Sequence, residues 1–119
     1  MTKQELFKEI DRIIEENKNN VYIGDGYDCE PVNLDSANHA KRFIELLSDI
    51  VLPDVSNDND GAISLDWWNK YHWILTVSFE PNSKLCYAWL IGDEKNHGVE
   101  VFVDFIPQKI LDTIKRIGK

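Results

Sequence analysis

The chain is short of most features that announce a function. It has two cysteines, Cys29 and Cys86, too far apart for a CxxC pair or a zinc-ligand spacing. They read as reduced thiols. Apolar runs never exceed a few residues, which excludes a membrane-spanning helix. The opening Met1-Thr2-Lys3-Gln4-Glu5 turns polar at once and holds no apolar signal core, so a cytoplasmic location is expected. There is no excess of basic residues. The thirteen Lys and Arg face twenty-one Asp and Glu, and direct binding to nucleic acid, which needs a basic patch, is disfavoured. Repeats and low-complexity tracts are also missing.

Motifs for chemistry are equally scarce. The three histidines, His39, His72 and His97, stand in no HxxxH or HExxH spacing. Asp58-Asn59-Asp60-Gly61 resembles part of a calcium loop, but Ser56 and Trp67 occupy positions where an EF-hand needs acids. It reads as a polar turn. Gly24-Asp25-Gly26 lacks the lysine of a phosphate loop and reads as a structural turn. No GxSxG elbow occurs. No acid, base and nucleophile can be seen to converge, so the expectation is no enzyme activity, no metal and no cofactor.

What the chain does have is one domain's worth of residues, 119 in all, with four Trp, four Tyr and five Phe to fill a core. The expectation is a single α+β domain over 1–119. A first helix is predicted from about Lys3 to Asn17. Thr2 and Glu5 form a capping box at its start, and Leu6, Phe7, Ile10, Ile13 and Ile14 share one face. A second helix is predicted from about Ser36 to Asp49, capped by Asp35 or Ser36.

Four segments alternate with period two, at roughly 62–68, 72–79, 85–91 and 99–105. They predict a four-stranded antiparallel meander. Keeping apolar opposite apolar pairs Trp67 with Trp73, Phe79 with Leu85, and Ile91 with Val99 around a wide loop. Pro107 opens a final helix closed by Gly118. The helices are expected mainly on one face of the sheet.

The net charge is −8, and the excess is local. Residues 25–60 carry nine acids against Lys41 and Arg42. Such a segment suits a basic protein partner. On the outward side of the predicted strands, Ile74 neighbours Leu90, Ala88 neighbours Phe102, and Trp68 lies near an edge opposite His72. That apolar stripe on a face expected to be solvated points to a protein contact, with Trp68 as anchor. The candidate partner-binding residues are therefore Asp25, Tyr27, Asp28, Glu30, Asp58, Asp60, Asp66, Trp68, Ile74, Leu90 and Phe102.

Two stretches also carry a resemblance. Gly24-Asp25-Gly26-Tyr27-Asp28 with Glu30-Pro31, and Asp60-Gly61-Ala62-Ile63-Ser64-Leu65-Asp66-Trp67, resemble a family of small uncharacterised bacterial proteins. That family has a W-D-G-Y-G-A-x-P turn and a D-G-E-I-x-L-E-W strand. Ala40 to Leu47, Pro53-Asp54-Val55, Tyr87 to Leu90 and His97 to Phe102 extend the likeness over most of the chain from residue 24. Ile23-Gly24, Asp28-Cys29 and Ala62 depart from the pattern. The resemblance implies a bacterial or mobile-element origin and no particular activity. The functional expectation is a non-enzymatic, acidic protein-interaction domain: an antitoxin, an immunity protein or an inhibitor of a nucleic-acid-binding machine. A self-associating accessory protein is the alternative, and an enzyme built on carboxylates such as Asp66 comes behind both.

Overall fold

The computed structural model describes residues 2–16, 33–47, 52–57, 61–80, 83–102 and 105–118. Helix α1 spans Lys3–Glu16. Its capping box forms as the sequence implies: the Glu5 N–H donates to Thr2 Oγ1 at 3.1 Å, and the Thr2 N–H to Glu5 Oε1 at 3.3 Å. Leu6, Ile10 and Ile13 are the buried stripe.

Helix α2 spans Leu34–Leu46, and its cap is neither Asp35 nor Ser36. Asn33 is the N-cap, its side-chain oxygen accepting from the Ser36 N–H at 3.1 Å. The Ser36 hydroxyl serves the sheet instead. It donates to the Phe79 carbonyl and accepts from the Ile63 N–H at 2.8 Å. Ser36 is fully buried, so both bonds are made away from water, where an unmade bond is costly.

The sheet has five antiparallel strands rather than four, in sequence order: β1 (Asp54–Asn57), β2 (Ile63–Trp68), β3 (Ile74–Glu80), β4 (Lys84–Ile91) and β5 (Glu94–Val101). The extra strand, β1, has a single apolar residue, Val55, packed against the core. So short a segment has no room to display alternation. Helix α3 (Gln108–Ile117) follows, with Pro107 at its N-cap.

One hairpin has the register expected from sequence: Phe79 faces Leu85 and Glu80 faces Lys84. The β2–β3 register differs by two residues. Trp67 faces Leu75, and Trp68 faces Ile74 rather than His72. A slip of two keeps every side chain on its own face. The cause is Asn69, whose side-chain oxygen accepts from the N–H groups of Tyr71 and Trp73 and organises a longer loop. His72 takes a positive φ of 63° in that loop.

The β4–β5 register overturns the expectation. Ile91 faces Glu94, not Val99, across the two-residue turn Gly92-Asp93. Gly92 has φ +61°, a conformation glycine adopts without cost. A two-residue turn closes at less entropic cost than a seven-residue loop. Val99 and Val101 consequently point outward and are exposed. Glu94, Asn96, Gly98 and Glu100 fall on the helix side.

All three helices cover that one side. Helix α1 packs on α2 and β1, α2 on β2 and β3, and α3 on β2, β3 and β4. Trp67, Phe43, Phe79 and Phe102 are the largest fully buried side chains. Phe43 stands among the other three, with ring centroids 5.4–6.0 Å away. Burial of this apolar area against the helices is the main stabilising term.

Candidate partner-binding face

The sheet side away from the helices is the candidate site. Antiparallel pairing sets its side chains in rows across the strands. One row runs Trp68, Ile74, Leu90, Lys95, and the next runs Asp54, Asp66, Thr76, Ala88, His97. Trp68 is 65% exposed, Ile74 43% and Leu90 37%. These three neighbours form an apolar stripe open to solvent.

Trp68 is held in place. Its indole N–H donates to Asp54 Oδ2 at 2.8 Å. Asp54 is the Cα partner of Asp66, which places two carboxylates side by side at the β1–β2 flank. Asp66 accepts from the Thr76 hydroxyl at 2.8 Å and from the Ser56 hydroxyl at 3.3 Å. Like charges directly opposite each other cost stability in a sheet. The hydroxyl and indole donors offset part of that cost. No ion pair reaches Asp54 or Asp66 among the described residues.

The opposite flank is different in sign. Lys95 and His97 project from β5 on the same face and border a shallow depression of about 440 Å³. Ile74, Thr76, Ala88 and Leu90 form its floor. Along these two rows the face is therefore acidic on one side, apolar in the middle and basic on the other, and farther along β5 the exposed Val99 and Val101 extend the basic flank with apolar surface.

Four of the residues expected at a partner surface are brought together here: Asp66, Trp68, Ile74 and Leu90. Phe102 is not. It is 1% exposed, its N–H donates to the Ser83 carbonyl at 2.8 Å, and its ring meets Phe43, Phe79 and the edge of His39. The β5 register turns Val99 and Val101 outward, and the same alternation carries Phe102, the next residue, to the helix side. Ala88 faces His97 in its stead. Asp25, Tyr27, Asp28, Glu30, Asp58 and Asp60 lie outside the described residues.

Sequence reasoning missed Asp54, Lys95 and His97 as members of this face. In the sequence Asp54 counts among the acids of 25–60 and not as a strand residue, because β1 is too short to predict as a strand. Lys95 and His97 were assigned to a wide loop. The Gly92-Asp93 pair was the available signal, since Gly-Asp between two extended runs favours a two-residue hairpin.

On the helix side of β5, Lys109 pairs with Glu100 at 2.8 Å and approaches the Tyr87 hydroxyl at 3.5 Å. The Glu100 carboxylate first, and the Tyr87 hydroxyl second, hold the Lys109 ammonium above its ordinary pKa. Arg116 reaches Glu94 at 3.0 Å. These two pairs strap α3 to β5.

No protein-family model, curated protein or solved structure matches the chain.

Proposed function

We propose that the chain is a non-enzymatic protein-interaction domain that binds through the outer face of its sheet. The observation that carries this reading is the stripe of Trp68, Ile74 and Leu90, with the indole of Trp68 pinned by Asp54. An exposed indole already held in one pose loses little conformational freedom on binding. Trp is also the residue type most often found to dominate interface energetics. The neighbouring rows supply polar groups for a rim, as interfaces commonly have.

The acidic balance of the chain adds a second feature. A net charge of −8 attracts basic proteins at long range. An antitoxin, an immunity protein or an inhibitor seated in a basic groove would use both the face and the charge. A second copy of the chain would use the face alone.

Tagged wild-type protein and a Trp68→Ala, Leu90→Asp variant should be compared in association assays, both for self-association and for capture of other proteins from the source lysate. Association of either kind, lost in the variant while its melting temperature holds, is the expected result. Equal association by both proteins would remove the sheet face from the reading. Release of a captured protein by salt would mark that partner as basic.

A further inference from the structure

We infer that the occupant of the outer sheet face is a second copy of this chain, related by a two-fold axis parallel to the strands. This rests on the reading of that face as a protein interface, and names its partner.

The argument is the order of charge across the face. Asp54 and Asp66 stand at the β1–β2 flank, Lys95 and His97 at the β5 flank, and Ile74 near the middle on β3. A two-fold along the strand direction lays β3 of one copy over β3 of the other and exchanges the flanks. Each acidic flank then meets the basic flank of its partner. Ile74 meets its own copy, and Trp68 meets Leu90. Asp54 leans toward the Trp68 row, as its hydrogen bond to the indole requires, and so toward the row that holds Lys95 of the other copy.

The other face-to-face two-fold, running across the strands, would set Asp54 near Asp54 and Lys95 near Lys95. Like-charge juxtaposition rejects it. A uniformly basic partner fits less well, because it would be drawn by Asp54 and Asp66 but opposed by Lys95. A C2 interface uses one patch twice and must be complementary to itself, and this face meets that condition. Lys95 makes no ion pair among the described residues. The stripe offers three exposed apolar side chains per copy, Trp68, Ile74 and Leu90, fewer than a permanent dimer buries, so the dimer should dissociate in roughly the micromolar range.

Sedimentation velocity at about 0.15 M ionic strength, where repulsion between the whole bodies is screened, over a concentration series from low micromolar to submillimolar tests this. The wild-type protein should show a monomer–dimer equilibrium. Asp54→Lys and Lys95→Asp should each weaken it by roughly tenfold or more. The double variant, with the charges exchanged, should return to within about threefold of wild type. An equimolar mixture of the two single variants should dimerise more tightly than either alone. Thermal melting of each variant checks that it is folded, and rescue in the double variant separates the charge effect from loss of the Trp68 hydrogen bond. A protein that stays monomeric throughout, or a dimer indifferent to every charge change, overturns the proposal. If the protein is monomeric but loses capture of another protein on Ile74→Asp, the second copy is overturned while the face remains an interface. If it is monomeric and Ile74→Asp changes nothing, both readings fall.

Discussion

Gly98 shows how one residue fixes the side of β5 that the helices cannot fill. A Cβ added there would lie 2.6 Å from the Tyr87 hydroxyl oxygen and 2.9 Å from the ring carbon bearing it. The Tyr87 ring thus lies across the glycine, stacked on Trp89 with centroids 5.4 Å apart. Gly98→Ala must push the aromatic ring aside, an overpacking change expected to cost about 1–3 kcal/mol. Urea unfolding measures it. Placing the same alanine in a Tyr87→Ala background should remove most of the cost, because the clash partner is gone. Phe102 carries a second residue-scale prediction. Sequence alternation set it beside Ala88 on the same outward face as Ile74 and Leu90, yet its ring completes the aromatic cluster of Phe43 and Phe79. Phe102→Asp should unfold the domain, since losing a buried Phe costs about 3–5 kcal/mol and a buried carboxylate adds more. Ile74→Asp should leave the melting transition nearly unchanged. Circular dichroism melts of the two variants make the comparison; similar losses in both would contradict the assignment of faces.

At the scale of elements, the helices and the middle strands were legible because their side chains declare the burial. Leu6, Ile10 and Ile13 recur at helical spacing and are buried. Leu75, Val77 and Phe79 alternate and are buried. Loop closure was less legible. The slip of two at β2–β3 depends on one Asn69 side chain holding two backbone N–H groups, which no periodicity records. At β4–β5 the alternating valines outweighed the Gly92-Asp93 turn. The structure instead leaves Val99 and Val101 exposed and gives Glu94 and Glu100 to α3. That strap has a pH signature. Lys109 is held above its ordinary pKa of 10.5 by Glu100 and Tyr87. A group whose folded pKa is raised contributes stability that is present below the unfolded pKa and is lost as pH rises through the folded one. The contribution is small, because the pair is on the surface. Glu100→Gln should therefore narrow the difference in melting temperature between neutral pH and pH above 10.5. An unchanged alkaline loss would assign it to other groups.

The whole molecule combines a one-sided core with an outer face of mixed charge and a large net negative charge, and the last two oppose each other. Two bodies of charge −8 with centres 27 Å apart, the smallest extent of the molecule, repel by about 10 kcal/mol in salt-free water. Salt removes that repulsion quickly, because the Debye length falls from about 30 Å at 0.01 M to about 8 Å at 0.15 M. The contacts between Asp54 and Lys95 of facing copies are short-ranged and lose at most about 1 kcal/mol each over the same interval. Repulsion of the whole bodies therefore outweighs attraction at the flanks when salt is low. Self-association should strengthen as ionic strength rises from about 0.01 to 0.15 M, and only weaken slowly beyond that. Binding to a basic protein has the opposite sign at every step, since net attraction is what salt screens. Sedimentation at the two salt concentrations reads the sign directly. A dimer that weakens over this interval would mean that attraction between unlike charges, rather than the apolar stripe, holds the copies together.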